Sequence, residues 1–348
     1  MRRPIKYTTP TSAQILINRI RVANKLRARI TKFNVKQYNA QQCNAINNSA
    51  SNDPLPVDTV YCPLTPCQRI DFYLGKELLD SKIDISQFNN IMTVNDLHTN
   101  DPIYDASLKN VLIRLNHHTK RFLFARGDIN DTQNIATLCK NRCTNNDGSV
   151  ILRNLEFNRH WDPYYNKPPD KPFEEKLNQV FWRGTTTGDE SRPGNRFTLI
   201  TTWFNKSPYI NVGLSSICQG KDAYSKYVKG PCDPSMFLNY KYILSVEGND
   251  KDSGINWKLN STSLVFMTKP RVTSWLMETT LIPNYHYILL KDDFSDLQDK
   301  LWWCSHHPSE SNQIIRHANA FMSQFADKNI EFEIETRVLN KYFELLHQ

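Results

Sequence analysis

Tyr240-Lys-Tyr-Ile-Leu-Ser-Val246, Ser263-Leu-Val-Phe-Met267 and His286-Tyr-Ile-Leu-Leu290 are three short apolar runs, rich in aromatic and branched side chains and spaced widely enough for a crossover between neighbours. Helical spacing follows them. Ser295-Asp-Leu-Gln298 predicts a capping box that opens a helix burying Leu297, Leu301 and Trp302. Ile314, Ala318, Phe321, Met322 and Phe325 mark another helix at 3.6-residue spacing. This strand-then-helix rhythm predicts an α/β domain built on a parallel, Rossmann-like sheet.

Working upstream, Val180-Phe-Trp-Arg-Gly-Thr-Thr-Thr-Gly188 reads as a buried strand ending in a guanidinium, a glycine and hydroxyls. Such an end can offer charge and free backbone N–H groups to a diphosphate. No Gly-Lys-Ser/Thr follows it, so it is not a Walker loop. Polar groups recur at the ends of the next strands, in Val246-Glu-Gly-Asn-Asp250, Asn256-Trp-Lys258, Met277-Glu278 and Asn284-Tyr-His-Tyr287, where a parallel sheet binds nucleotides. Asp162-Pro-Tyr-Tyr-Asn-Lys-Pro-Pro-Asp-Lys-Pro172 predicts a linker without regular structure. Before it, Arg121-Phe-Leu-Phe-Ala-Arg126 predicts a strand that runs into the polar loop Gly127-Asp-Ile-Asn-Asp-Thr-Gln133.

The chain has 348 residues with 39% hydrophobic and 22% charged side chains, an ordinary globular composition with length enough for two domains. No apolar run approaches the ~20 residues that span a bilayer, and no secretory h-region follows Met1-Arg-Arg-Pro. A cytoplasmic location is expected. The net charge of +8 is concentrated in residues 1–36, which hold ten Lys or Arg and no acid, while the remainder is close to neutral. Nucleic acid is therefore not expected as a partner of the body. Within residues 12–33 Ile15, Leu16, Ala23, Leu26, Ile30 and Phe33 share one helical face among basic residues. That face suits either an anionic membrane surface or docking on the protein's own body. Residues 39–56 read as a loop. The eight cysteines lack zinc-finger spacing, so free thiols are expected and no metal site is.

Phe181-Trp-Arg-Gly-Thr185, Lys241-Tyr242, Glu247-Gly-Asn-Asp250, Asn256-Trp-Lys258, Ser263-Leu-Val-Phe266, Trp275-Leu-Met-Glu278, Leu281-Ile-Pro-Asn-Tyr-His-Tyr287 and Lys291-Asp-Asp-Phe-Ser-Asp-Leu297 together resemble glycosyltransferase family 90, in spelling most of all its bacterial lipopolysaccharide branch. The resemblance covers about 180–325. It implies a GT-B architecture: two Rossmann-like domains facing a cleft, here preceded by the basic amphipathic helix. The division expected is 1–38 for that helix, 39–172 for an acceptor-side domain, 173–330 for a nucleotide-sugar domain and 331–348 for a C-terminal helix.

The activity the resemblance implies is inverting transfer of a sugar from a UDP-sugar to a hydroxyl of a glycan or lipid-linked oligosaccharide, without metal or other cofactor. By that resemblance the base is Asp128 of Arg126-Gly-Asp128, with Asp131 in reserve. The donor is assigned to Arg183, Gly184, Thr185, Arg196, Asn256, Lys258 and, for the ribose hydroxyls, Glu278. A reading of another class also fits the sequence: a non-catalytic protein that binds through its basic N-terminal arm on a degenerate transferase body.

Overall fold

A computed structural model describes residues 61–347 other than Ser81, Thr99, Pro102, Asn130, Thr132 and 144–147. The basic stretch 12–33 and the 39–56 loop lie outside the described residues. Five strands form a parallel sheet in the order Ile288–Leu289, Leu264–Met267, Tyr240–Leu244, Leu177–Thr185, Ile210–Ser216. Numbered along the chain and read from the far edge, that order is 2-1-3-4-5, a doubly wound pattern whose direction of winding reverses between the first and third strands.

The central strands are apolar where both faces are covered, at Val180–Trp182, Tyr242–Leu244 and Leu264–Met267. Val180, Trp182, Tyr242, Leu244, Leu264 and Phe266 enter one core with Leu199, Ile200 and Leu301. Phe181, Ile243, Val265 and Met267 point the other way, into a second core with Trp257, Phe321 and Met322. The alternation is the period of two that a pleated strand imposes.

The second core also takes in the chain before residue 165. There a smaller parallel sheet orders Leu123–Phe124, Thr137–Cys139 and Val150–Ile151. Asn141–Cys143 pairs antiparallel with Val272–Ser274, a direct backbone link between the two halves. Helix Pro66–Leu74 starts with a capping box between Thr65 and Gln68 and has proline in its first turn. It packs on helix Lys328–Leu345, where the Arg69 guanidinium meets the Glu331 carboxylate at 2.7 Å on both oxygens and Trp275 Nε1 also donates to Glu331.

Several local expectations are corrected. Helix Leu297–His306 has no capping box: Asp296 instead accepts from the Lys291 N–H, and the Ser295 N–H goes to Asp293. Leu297 and Leu301 are buried as expected, but Trp302 is 61% exposed and Cys304 takes the inner position. The proline-rich segment opens as a helical turn, Asp162–Tyr165, because Pro163 falls in its first turn and Tyr164 is buried with its hydroxyl on the Met322 carbonyl. Helix Pro308–Ser323 buries Ile314, Ala318, Phe321 and Met322 on one stripe, as the spacing predicts. All described cysteines are free thiols, with Cys62 and Cys67 exposed.

Candidate active site

In a doubly wound sheet, ligands bind beyond the carboxyl ends of the strands where the winding reverses. Here that place lies between Thr185–Gly188, after the first strand, and Val246–Asn249, after the third. The two loops touch glycine to glycine: a Cβ on Gly188, whose φ is +106°, would lie 2.8 Å from the Gly248 carbonyl oxygen. The Gly188 N–H donates to Asn249 Oδ1 at 2.9 Å.

Arg196 fills the space below these loops. It is the first residue of helix Arg196–Trp203, which Asn195 caps by accepting from the Thr198 N–H. Its guanidinium donates to Thr187 Oγ1 at 2.6 Å, to the Thr185 carbonyl at 3.1 Å and to the Val246 carbonyl. All of these acceptors are neutral. Among the described residues no carboxylate pairs with Arg196 within 4 Å, and burial lowers its pKa from the ordinary value. A buried guanidinium whose hydrogen-bond acceptors are all neutral is an arrangement that favours an anion.

The smaller sheet brings its own carboxyl ends to the same place. Strand Leu123–Phe124 leads into Arg126-Gly-Asp128. Arg126 forms a two-point ion pair with Asp105, at 2.5 and 2.9 Å, which anchors the start of the turn. Gly127 then takes φ +88°, a left-handed conformation that an L side chain would resist, and turns Asp128 toward the crevice. On the other side Asn141 clamps the next residue, accepting from the Ile129 N–H and donating to its carbonyl.

The Asp128 carboxylate thereby receives Asn249 Nδ2 at 3.2 Å across 121 positions of sequence. It is also ion-paired with Lys140, lies 3.8 Å from Arg159 and faces the Tyr104 hydroxyl at 3.5 Å. Lys140 in turn reaches Asp250 at 2.7 Å. Burial pulls the Asp128 carboxyl up, but the Lys140 ammonium, with Asn249 and Arg159, outweighs it and holds the group below its ordinary value. Asp250 goes the other way: burial raises it despite the same ammonium. The site thus presents an ionised, partly exposed carboxylate joined through Asn249 to the loop over the Arg196 guanidinium; the ammonium that keeps Asp128 ionised also lowers its basicity.

Of the residues the sequence singled out, the structure brings Asp128, Thr185 and Arg196 to this crevice. Gly184 lies behind Thr185, where a Cβ would collide with the Trp182 ring. Arg183 is held elsewhere, donating to the Trp182 and Asn211 carbonyls and to Asn211 Oδ1 against the edge strand. Lys258 is fully buried under the 246–252 loop, on the Leu244 carbonyl and Asp252. Glu278 is buried with Lys251 and accepts from the Ser274 N–H and hydroxyl. Asn256 is buried at the start of a short helix, its amide without a hydrogen-bond partner among the described residues. Asp131 accepts from Gln133 at the surface. His286 is structural: its Nδ1 accepts from the Ile282 N–H among Tyr61, Tyr285 and Phe321, and burial pushes its pKa down to about 3.

Lys140 is a residue that sequence reasoning does not find, and Asn249, though within the quoted Glu247-Gly-Asn-Asp250, carries no role there. The signal for Lys140 is a lone cation directly after the apolar strand Thr137–Cys139. A reading of the sequence as lacking any D-x-D motif is corrected here, since Asp250-Lys-Asp252 has that spacing. Its two carboxylates are each paired with a different lysine, Asp250 with Lys140 and Asp252 with Lys258 at 2.6 Å.

The parallel α/β sheet thus carries a strand-end crevice with a buried guanidinium and a partly exposed carboxylate, and comparison with known proteins gives its class. Residues 165–348 match glycosyl transferase family 90. The O-glucosyltransferase LpsA of Dichelobacter nodosus is 32% identical over 228 residues, 65% of this chain and 68% of its own. The chain belongs to that family and is a glycosyltransferase. Protein O-glucosyltransferase 2 of Danio rerio is 26% identical over 202 residues, 57% of this chain but 37% of its own. Protein 179R of Invertebrate iridescent virus 6, uncharacterised, is 24% identical over 53% of this chain and 18% of its own.

Proposed function

We propose that this chain transfers a sugar, glucose first among the candidates, from a UDP-sugar to a hydroxyl of a glycan acceptor such as lipopolysaccharide core, with inversion and without a metal ion. The observation that carries the reading is the meeting of Asp128, from the carboxyl end of one parallel sheet, with the Arg196 crevice at the carboxyl end of the other. Asp128 accepts the acceptor hydroxyl proton as the oxygen attacks the anomeric carbon, and the bond from that carbon to the diphosphate oxygen breaks on the opposite side. The departing UDP takes the electron pair, and its charge is met by the Arg196 guanidinium. The names of the two characterised relatives support glucose as the sugar.

In this reading the enzyme is of GT-B type, with 39–172 on the acceptor side and 173–330 on the donor side. It works in the cytoplasm, with the basic segment 12–33 against the anionic inner face of the membrane. Among the described residues no helix is long and apolar enough to cross a membrane. The test is UDP release by the full chain from a panel of UDP-sugars in the presence of EDTA, with water or a simple sugar as surrogate acceptor. Preferential turnover of UDP-glucose supports the proposal. Silence across the panel, with no rise in melting temperature on adding UDP, would remove it in favour of a non-catalytic body.

A further inference from the structure

Lys140 takes no part in the bond changes of the transfer, yet it is buried between two carboxylates of the crevice. Its side chain is 1% exposed, and its ammonium lies between two carboxylates that belong to different sheets: Asp128 at the strand end of the smaller and Asp250, 2.7 Å away, in the loop of the larger. An ammonium removed from water needs counter-charge, and this one has two. We propose that Lys140 is the positioning residue of the site, using Asp250 as its anchor to fix the Asp128 carboxylate beside Asn249 at the mouth of the donor crevice. The inference rests on the reading of Asp128 as the base.

Three observations support it. The anchor is rigid, because Asp250 is buried and adjoins Lys251, which is itself locked between Glu156 and Glu278. Only one carboxylate of the pair remains open, Asp128 with its side chain 18% exposed. The ammonium and Asn249 take different oxygens of Asp128, Oδ1 and Oδ2, so the carboxylate is held at both. Other titratable or charged groups facing this triad are Tyr104, before helix Asp105–Arg114, and Arg159 and His160 from the turn Phe157–Trp161. Burial raises the Tyr104 hydroxyl and holds His160 well below its ordinary value, so both are neutral through the working pH range and neither competes with Lys140.

Removing either neighbour of Asp128 has an opposite electrostatic sign. Without the ammonium the Asp128 carboxyl moves up in pH; without Asp250 it keeps Lys140 to itself and moves down. The experiment is the pH profile of kcat for UDP release by the full chain, for Lys140→Met, Asp250→Asn and Asp128→Asn, with the UDP-induced rise in melting temperature as a check on folding and donor binding. Lys140→Met is expected to lower kcat by about 100-fold, leave the donor KM unchanged and shift the acidic limb upward. Asp250→Asn is expected to shift that limb downward, and it decides the matter alone if Lys140→Met does not fold. If Asp128→Asn is inactive while the limb of Asp250→Asn and of any folded Lys140→Met stays in place, the positioning role is wrong and the base stands. If Asp128→Asn turns over normally, the base is wrong and the role of Lys140 falls with it.

Discussion

Two lysines of this protein are each held between two carboxylates, and their surroundings give them opposite work. Lys251 joins Glu156 at 2.8 Å and Glu278 at 3.3 Å and donates to Ser274 Oγ, with every side chain of the ion triad at most 2% exposed. Lys140 joins Asp128 and Asp250, one residue before Lys251, but its cluster opens on one side through Asp128. The closed cluster can only hold the chain together. The open one leaves a carboxylate edge at which a proton can be received. Equal charges thus become scaffold or site according to which of them keeps access to water.

The sharpest way to break that contrast is to remove the carboxylate at the opening. Asp128→Asn should lower kcat by a factor on the order of 100 to 10,000, with UDP affinity and melting temperature nearly unchanged, as read by UDP release beside calorimetric titration. In the closed cluster, Lys251→Met should leave two buried carboxylates uncompensated and cost about 3–5 kcal/mol of stability. Urea unfolding at the wild-type midpoint would refute that assignment.

Arg196→Lys should weaken UDP binding about tenfold, because a point charge cannot reproduce the fork of donors that reaches Thr187, Thr185 and Val246. Equal affinity in titration would mean that the diphosphate lies elsewhere. A smaller effect concerns pH. His286 titrates at about 3 in the folded chain against 6.5 when free, so the unfolded state binds more protons between those values. Its contribution to stability is complete above 6.5 and is lost as pH falls toward 3. His286→Phe should flatten the loss of stability across that window in urea titrations at stepped pH. Least of all, Trp302→Ser should change stability by no more than about 0.5 kcal/mol, since the ring is exposed; a larger drop in unfolding experiments would show that something covers it.

Legibility followed burial. Segments such as Val180–Trp182 and Leu264–Met267 are legible because a strand segment covered on both faces must be apolar. Trp302 was misplaced because its neighbour Cys304, a smaller side chain, takes the inner position on the helix. The capping box expected at 295–298 does not form because Asp293 takes the Ser295 N–H that Gln298 would have to accept, and the helix begins one residue later. In the site, Asp128 is legible in the polar loop after a strand, whereas Arg196, at a helix start, comes only from the family resemblance. Lys258 and Glu278 carried equally suggestive charges, and only their buried partners Asp252, Ser274 and Lys251 separate them from the crevice.

The sequence by itself determined the parallel α/β class, the main elements of the larger sheet and the family, since local periodicity and short motifs carry that information. Only the tertiary structure decided which charges face the crevice. Asp128 meets Asn249 across 121 positions, and Lys140 meets Asp250 across a similar span. The protonation and reach of a charged group depend on its desolvation and its nearest counter-charge, and folding alone brings those together.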